Sequence, residues 1–165
     1  MLGIDITSIK PGLHEVTLES SAEQLGLDPE VFNDVVVEAR LDHERERTLV
    51  AFTARATATL ECDRTAVSFE QAVQGHYSIL YVLPEQFGGL GRDGDSDVRP
   101  LPQAGMELDI TDAVRDTLLL ALPTRRVAPG AEDEQIPITF GAESDADGQS
   151  IDPRWEALRK LRDSL

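Results

Sequence analysis

Val50-Ala-Phe-Thr-Ala-Arg-Ala-Thr-Ala-Thr-Leu-Glu-Cys62 carries the cleanest alternation in the chain. Val50, Phe52, Ala54, Ala56, Ala58, Leu60 and Cys62 fall on one side, and Thr53, Arg55, Thr57, Thr59 and Glu61 on the other. Successive side chains of a strand point to opposite faces. This pattern therefore predicts a long antiparallel strand, packed on one face and wet on the other. The small alanines on the packed face predict close approach by a helix or a curved sheet.

Upstream, Val35, Val37, Ala39 and Leu41 alternate with Glu38, Arg40 and Asp42, a second strand. Asp42-His-Glu-Arg-Glu-Arg47 joins the two as a charged hairpin end; its charges nearly cancel and it holds one His, so a nucleic-acid or metal patch is disfavoured. His14 through Glu19 reads as a further strand with Val16 and Leu18 inward, after an extended start (Ile4, Ile6, Ile9) and a Pro11-Gly12 turn. Ser20-Ser-Ala-Glu-Gln-Leu-Gly26 reads as one capped helical turn ended by glycine, and Val31 and Phe32 as anchors beyond it. Downstream, Asp63-Arg-Thr65 turns the chain. Val67, Phe69, Val73, Tyr77, Ile79 and Tyr81 then alternate to Leu83-Pro84, with Gly75 expected to mark a bulge or kink.

Residues 88–103, rich in Gly, Asp and Pro, read as a loop, and 105–109 as a short strand. Asp109-Ile-Thr-Asp-Ala-Val-Arg-Asp-Thr-Leu-Leu-Leu-Ala-Leu-Pro123 then gives the central helix, about 110–122. Asp109 or Thr111 is expected to cap it, acids crowd its positive end, and Pro123 stops it. Ile110, Val114, Leu118, Ala121 and Leu122 recur at helical spacing. Leu119 and Leu120 widen that stripe until the last turn is apolar nearly all round, which predicts a helix that ends inside the protein. Ile136-Pro-Ile-Thr-Phe140 reads as an edge strand, 141–150 as an acidic loop, and 153–163 as a final helix with proline in its first turn. Trp155, Leu158 and Leu161 form its apolar face. The fold class is α+β: a single domain over 1–165, built on a twisted or partly closed antiparallel sheet of about five to seven strands, because such long strands bend.

Leu118-Leu-Leu-Ala-Leu-Pro123, Ile151-Asp-Pro-Arg-Trp-Glu-Ala-Leu-Arg-Lys-Leu161 and Leu60-Glu-Cys-Asp-Arg-Thr65 together resemble the YceD family, bacterial and plastid proteins implicated in accumulation of large-subunit ribosomal RNA. The resemblance implies a non-enzymatic factor supporting accumulation or processing of 23S ribosomal RNA through protein or pre-ribosome contacts. The Leu60–Thr65 piece is similar to the family's Cys-x-Arg-Cys turn, with Thr65 at the second cysteine. Many members carry another cysteine pair after the Leu-Ala-Leu-Pro, where this chain reads Thr124-Arg-Arg-Val-Ala-Pro129. A structural zinc takes about four ligands, and Cys62 with His14, His43 and His76 does not supply them. No metal or cofactor is expected, and Cys62 reads as a small buried hydrophobe.

The chain has 31 acidic against 15 basic residues, a net charge of −16, and its only lysines are Lys10 and Lys160. The acids are dispersed, which favours adaptation to a salty cytoplasm over nucleic-acid mimicry. DNA binding is disfavoured, since phosphate binding draws on Lys and Arg. One cysteine, no signal segment and no long apolar run predict a cytoplasmic protein with no membrane contact. Asp93-Gly-Asp-Ser-Asp97 begins like a calcium loop, but Val98 and Ala104 replace the required Gly and Glu. Gly88-Gly-Leu-Gly91 lacks the helix start a phosphate cradle needs. No nucleophile motif appears, so no catalytic residue is assigned. Candidate contacts to a large-subunit RNA precursor or a basic ribosomal protein are Arg64, the exposed base to test first, with Arg125, Arg126, Arg154, Arg159 and Lys160. The alternative is a small-molecule-binding or hydrolytic barrel-like domain, which would need a pocket of converging polar groups.

Overall fold

The computed structural model describes residues 1–90, with 88–90 as backbone, 97–102 and 107–132. The chain divides into two compact units, 1–134 and 135–165, and all described residues belong to the first. The expected 136–140 strand, 141–150 loop and 153–163 helix lie outside the described residues.

Five strands form one sheet in the order β2 (Gly12–Ser20), β3 (Phe32–His43), β4 (Arg47–Glu61), β5 (Ser68–Val82) and β6 (Asp97–Pro100). β1 (Gly3–Asp5) and β7 (Glu107–Asp109) pair separately and antiparallel. The expected period of two holds along the meander: Val50, Phe52, Ala54, Ala56, Ala58 and Leu60 of β4 are buried, as are Val35, Val37, Ala39 and Leu41 of β3. The charged hairpin end between β3 and β4 is present, held by a 2.9 Å Arg47–Glu44 ion pair.

Three short helices are found among the described residues. α1 (Ala22–Leu25) has the expected cap: the Ser21 hydroxyl accepts from the Gln24 N–H, the Gln24 side chain returns to the Ser21 N–H, and Gly26 closes the turn at φ 70°. α2 is Pro84–Leu90 and α3 is Thr111–Leu120. α3 buries Ala113, Val114, Thr117 and Leu118 and packs on β5 and β4. The alanines of β4 make that approach possible, and so does Gly75, which lies opposite Ala54. A Cβ on Gly75 would stand 2.5 Å from Thr117 Cγ2 and 3.0 Å from the Thr117 carbonyl oxygen.

The structure departs from the sequence pattern at several points. Gly75 makes no bulge, for β4 and β5 pair in unbroken register from Arg47–Val82 to Glu61–Ser68; its lack of a side chain admits α3 instead. The bulge lies in β3, where register shifts between Asn33 and Val36 around Asp34 at φ 52°. Asp is among the residues that tolerate this left-handed conformation, and the extra residue brings Phe32 and Val35 to the same buried side. The 88–103 stretch is not all loop: Gly88–Leu90 finish α2, and Asp97–Pro100 form β6, parallel to β5. The five-stranded sheet is thus mixed at one edge, the position where a proline's missing N–H is tolerated. Neither Asp109 nor Thr111 is the N-cap of α3. Ile110 holds that position without a side-chain cap, and the Asp109 carboxylate accepts the Thr111 N–H just outside it at 2.9 Å. Val67 and Tyr77, placed inward by alternation, are 59% and 43% exposed. The last turn of α3 is not enclosed by the described residues, since Leu119 and Leu120 are exposed.

Candidate functional site

The turn after β4 meets the segment after α3. Cys62 and Asp63 end one long strand, and Arg126 through Glu132 follow a helix dozens of residues later. The Asp63 N–H donates to the Arg126 carbonyl at 2.7 Å, and the Arg126 N–H donates to Asp63 Oδ2 at 2.8 Å. The Ala128 N–H donates to Cys62 Sγ at 3.3 Å. Arg64 Nη1 donates to the carbonyls of Ala131, at 3.2 Å, and Glu132. The turn itself is closed by Cys62 N–H to Val67 O and Ala66 N–H to Cys62 O. The two regions where the sequence resemblance puts cysteine pairs are therefore spatial neighbours, joined here by hydrogen bonds.

Cys62 is buried. The Ala128 N–H, the Thr65 hydroxyl and backbone N–H groups of the turn favour its thiolate, bringing the thiol from 9.0 down to about 7 against the opposing effect of burial. Thr65, standing at the second cysteine position, thus serves Cys62 as a hydrogen-bond partner. Among the described residues, no three His, Cys, Asp or Glu side chains are grouped to hold a metal.

The candidate bases occupy different settings. Arg64 is half-buried, and its guanidinium ties the turn to residues 131–132. Arg125 and Arg126 are exposed, with Arg126 beside a groove. Arg154, Arg159 and Lys160 lie outside the described residues.

That groove, about 590 Å³, runs between the end of α3, the 26–32 turn and the last residues of β4. Leu27, Val31, Leu60, Leu119 and Leu122 give it an apolar lining, and Asp28, Glu30, Glu61 and Arg126 stand at it as charged groups. Sequence reasoning missed it because its walls come from three separate elements. The one available signal was the all-round apolar end of the 110–122 helix. A second, shallower depression of about 880 Å³ crosses the sheet beside Glu38, Arg40, Thr53 and His76. Three of its polar groups are engaged sideways: Thr53 Oγ1 and His76 Nδ1 lie 2.8 Å apart, and Glu38 pairs with Arg55 at 2.8 Å. Across the sheet, the Tyr81 hydroxyl donates to the Asp109 carbonyl at 2.7 Å, fixing the strand that leads into α3; burial raises it to about 12.

The family model for YceD, the large ribosomal RNA subunit accumulation protein, matches residues 50–162. The chain belongs to the YceD family. No match was found among curated proteins or among solved structures. The YceD match opens at Val50, the second buried position of β4, and takes in both partners of the turn–segment contact. β1, β2, α1 and β3 precede it, although β3 supplies the strand that pairs with β4 along its length. No helix among the described residues of this YceD protein is long and apolar enough to cross a membrane.

Proposed function

We propose that this YceD protein supports accumulation of large-subunit ribosomal RNA in the cytoplasm as a non-enzymatic assembly factor, acting through contacts with proteins or with the pre-ribosome. The observation that carries the reading is the family match over 50–162, whose described part includes the joined 62–65 turn and 126–132 segment. The interior gives the small-molecule alternative little support. Its described buried hydroxyls are each already hydrogen-bonded, Thr48 to His43, Thr117 to the Ala113 carbonyl and Tyr81 to the Asp109 carbonyl. Arg125 and Arg126, exposed after α3 beside the joined turn, are the bases this reading assigns to partner contact. Arg64 acts on the same surface by positioning the 131–132 backbone. Residues 1–165 function as one YceD-like domain, and the excess of acid keeps the protein soluble at high salt.

Affinity purification of the tagged full chain from cells at native salt, with sequencing of bound RNA and identification of bound proteins, tests this reading. Enrichment of large-subunit RNA or large-subunit proteins over small-subunit ones is expected. Equal recovery of both subunits would overturn it.

A further inference from the structure

We propose that the groove at the end of α3 docks a basic protein segment carrying an apolar anchor. Leu119 and Leu120 are 45% and 86% exposed on a helix that buries Val114, Thr117 and Leu118 just before them. Leu119 continues into the groove with Val31 and Leu122. An anchor set in such a depression and shielded from water is where binding energy concentrates.

The charges around the groove select the occupant. Glu30 and Glu61 have no ion-pair partner among the described residues, and Arg126 is the single base on the lining. α3 carries no basic residue in its last turn, so the negative end of its dipole also favours a cation brought from outside. A second copy of this chain, at net charge −16, would set one acidic rim against another. A nucleic acid would bring phosphates to the same rim. A lysine- or arginine-rich helix with one leucine face satisfies both the lining and the rim. This inference rests on the assembly-factor reading and deepens it by assigning the surface and the partner's chemistry.

The test uses the full chain and three synthetic helical peptides with fluorescent labels: lysine-rich with a leucine face, the same with the leucines replaced by serine, and the same leucine face with glutamate for lysine. The first is expected to bind saturably and to shift the methyl resonances of Leu119 and Leu122. Leu119→Ser with Leu120→Ser should weaken it about tenfold, roughly 1.4 kcal/mol. Glu30→Gln with Glu61→Gln should weaken it several-fold and flatten its salt dependence. Both pairs are exposed, and circular dichroism checks that the variants fold. The proposal is overturned by equal binding of the serine or glutamate peptide, or by binding that leaves the methyl resonances or the variants' affinities unchanged. It is also overturned if those methyls are already shielded from a soluble paramagnetic probe in the free chain. A mass that doubles with concentration and reverts in the leucine variants would assign the groove to a second copy instead. All of these readouts are independent of ribosomal RNA, so their failure removes the docking site and leaves the RNA measurement to judge the function.

Discussion

Gly75→Ala tests whether α3 lies directly on β5. Glycine in a strand interior is about 0.5–1 kcal/mol less favourable than alanine, so without α3 the substitution would stabilise. With α3 in place, the new methyl meets Thr117 Cγ2 at 2.5 Å and the Thr117 carbonyl oxygen at 3.0 Å. Thr117 is buried, and its hydroxyl donates to the Ala113 carbonyl at 2.6 Å, so rotating Cγ2 away sacrifices that bond. Overpacking of this kind costs about 1–3 kcal/mol, which outweighs the strand gain; a net loss of about 1–2 kcal/mol is expected. Thr117→Ser removes Cγ2, keeps the hydroxyl, and should cost about 1 kcal/mol alone as a lost buried methyl. In the double variant the closest contact is gone and the carbonyl contact remains, so part of the Gly75→Ala cost should vanish, with a coupling of roughly 1 kcal/mol. Urea denaturation of the four proteins, compared at constant m, gives these energies. A Gly75→Ala protein as stable as the parent, or strictly additive energies, would refute the packing of α3 on β5.

Two further substitutions probe the local chemistry. Ser21→Ala removes the capping box of α1 and should cost about 1 kcal/mol, read as a lower urea midpoint with faster amide exchange at Gln24; unchanged exchange would contradict the cap. Cys62 should titrate near 7, seen as thiolate absorbance, rather than at 9.0. Because its folded value is depressed, the thiolate's contribution to stability is fully present above about 9, declines as pH falls, and is lost below about 7. The stability gap between the parent and Cys62→Ser should therefore widen as pH rises through that window, and a pH-independent gap would show that the Ala128 and Thr65 donors do not act on the thiolate.

What the sequence made legible was regular and local. Alternation along β4 marked its buried face because thirteen consecutive residues agree. Ser21, Gln24 and Gly26 announced α1 because each satisfies a specific backbone group at a helix end. β6 carried no such signal: four residues ending in Pro100, stabilised by pairing with the end of β5, a partner that alternation cannot supply. α2 hid behind Gly88 and Gly89, poor helix formers, while Pro84 supplied its first turn. Gly75 showed that something required glycine, but a bulge and an approaching helix make the same demand, and only Thr117 across the gap distinguishes them. The turn motif around Cys62 was recognisable. Its union with residues 126–132 was not, because Asp63, Cys62 and Arg64 meet backbone groups of that segment, which carry no sequence signature.

Depleting this YceD protein from its own cells and measuring the ratio of large- to small-subunit ribosomal RNA is the sharpest test of the proposed function. The ratio should fall, and the full chain should restore it. An unchanged ratio after complete depletion would rule out the proposed role.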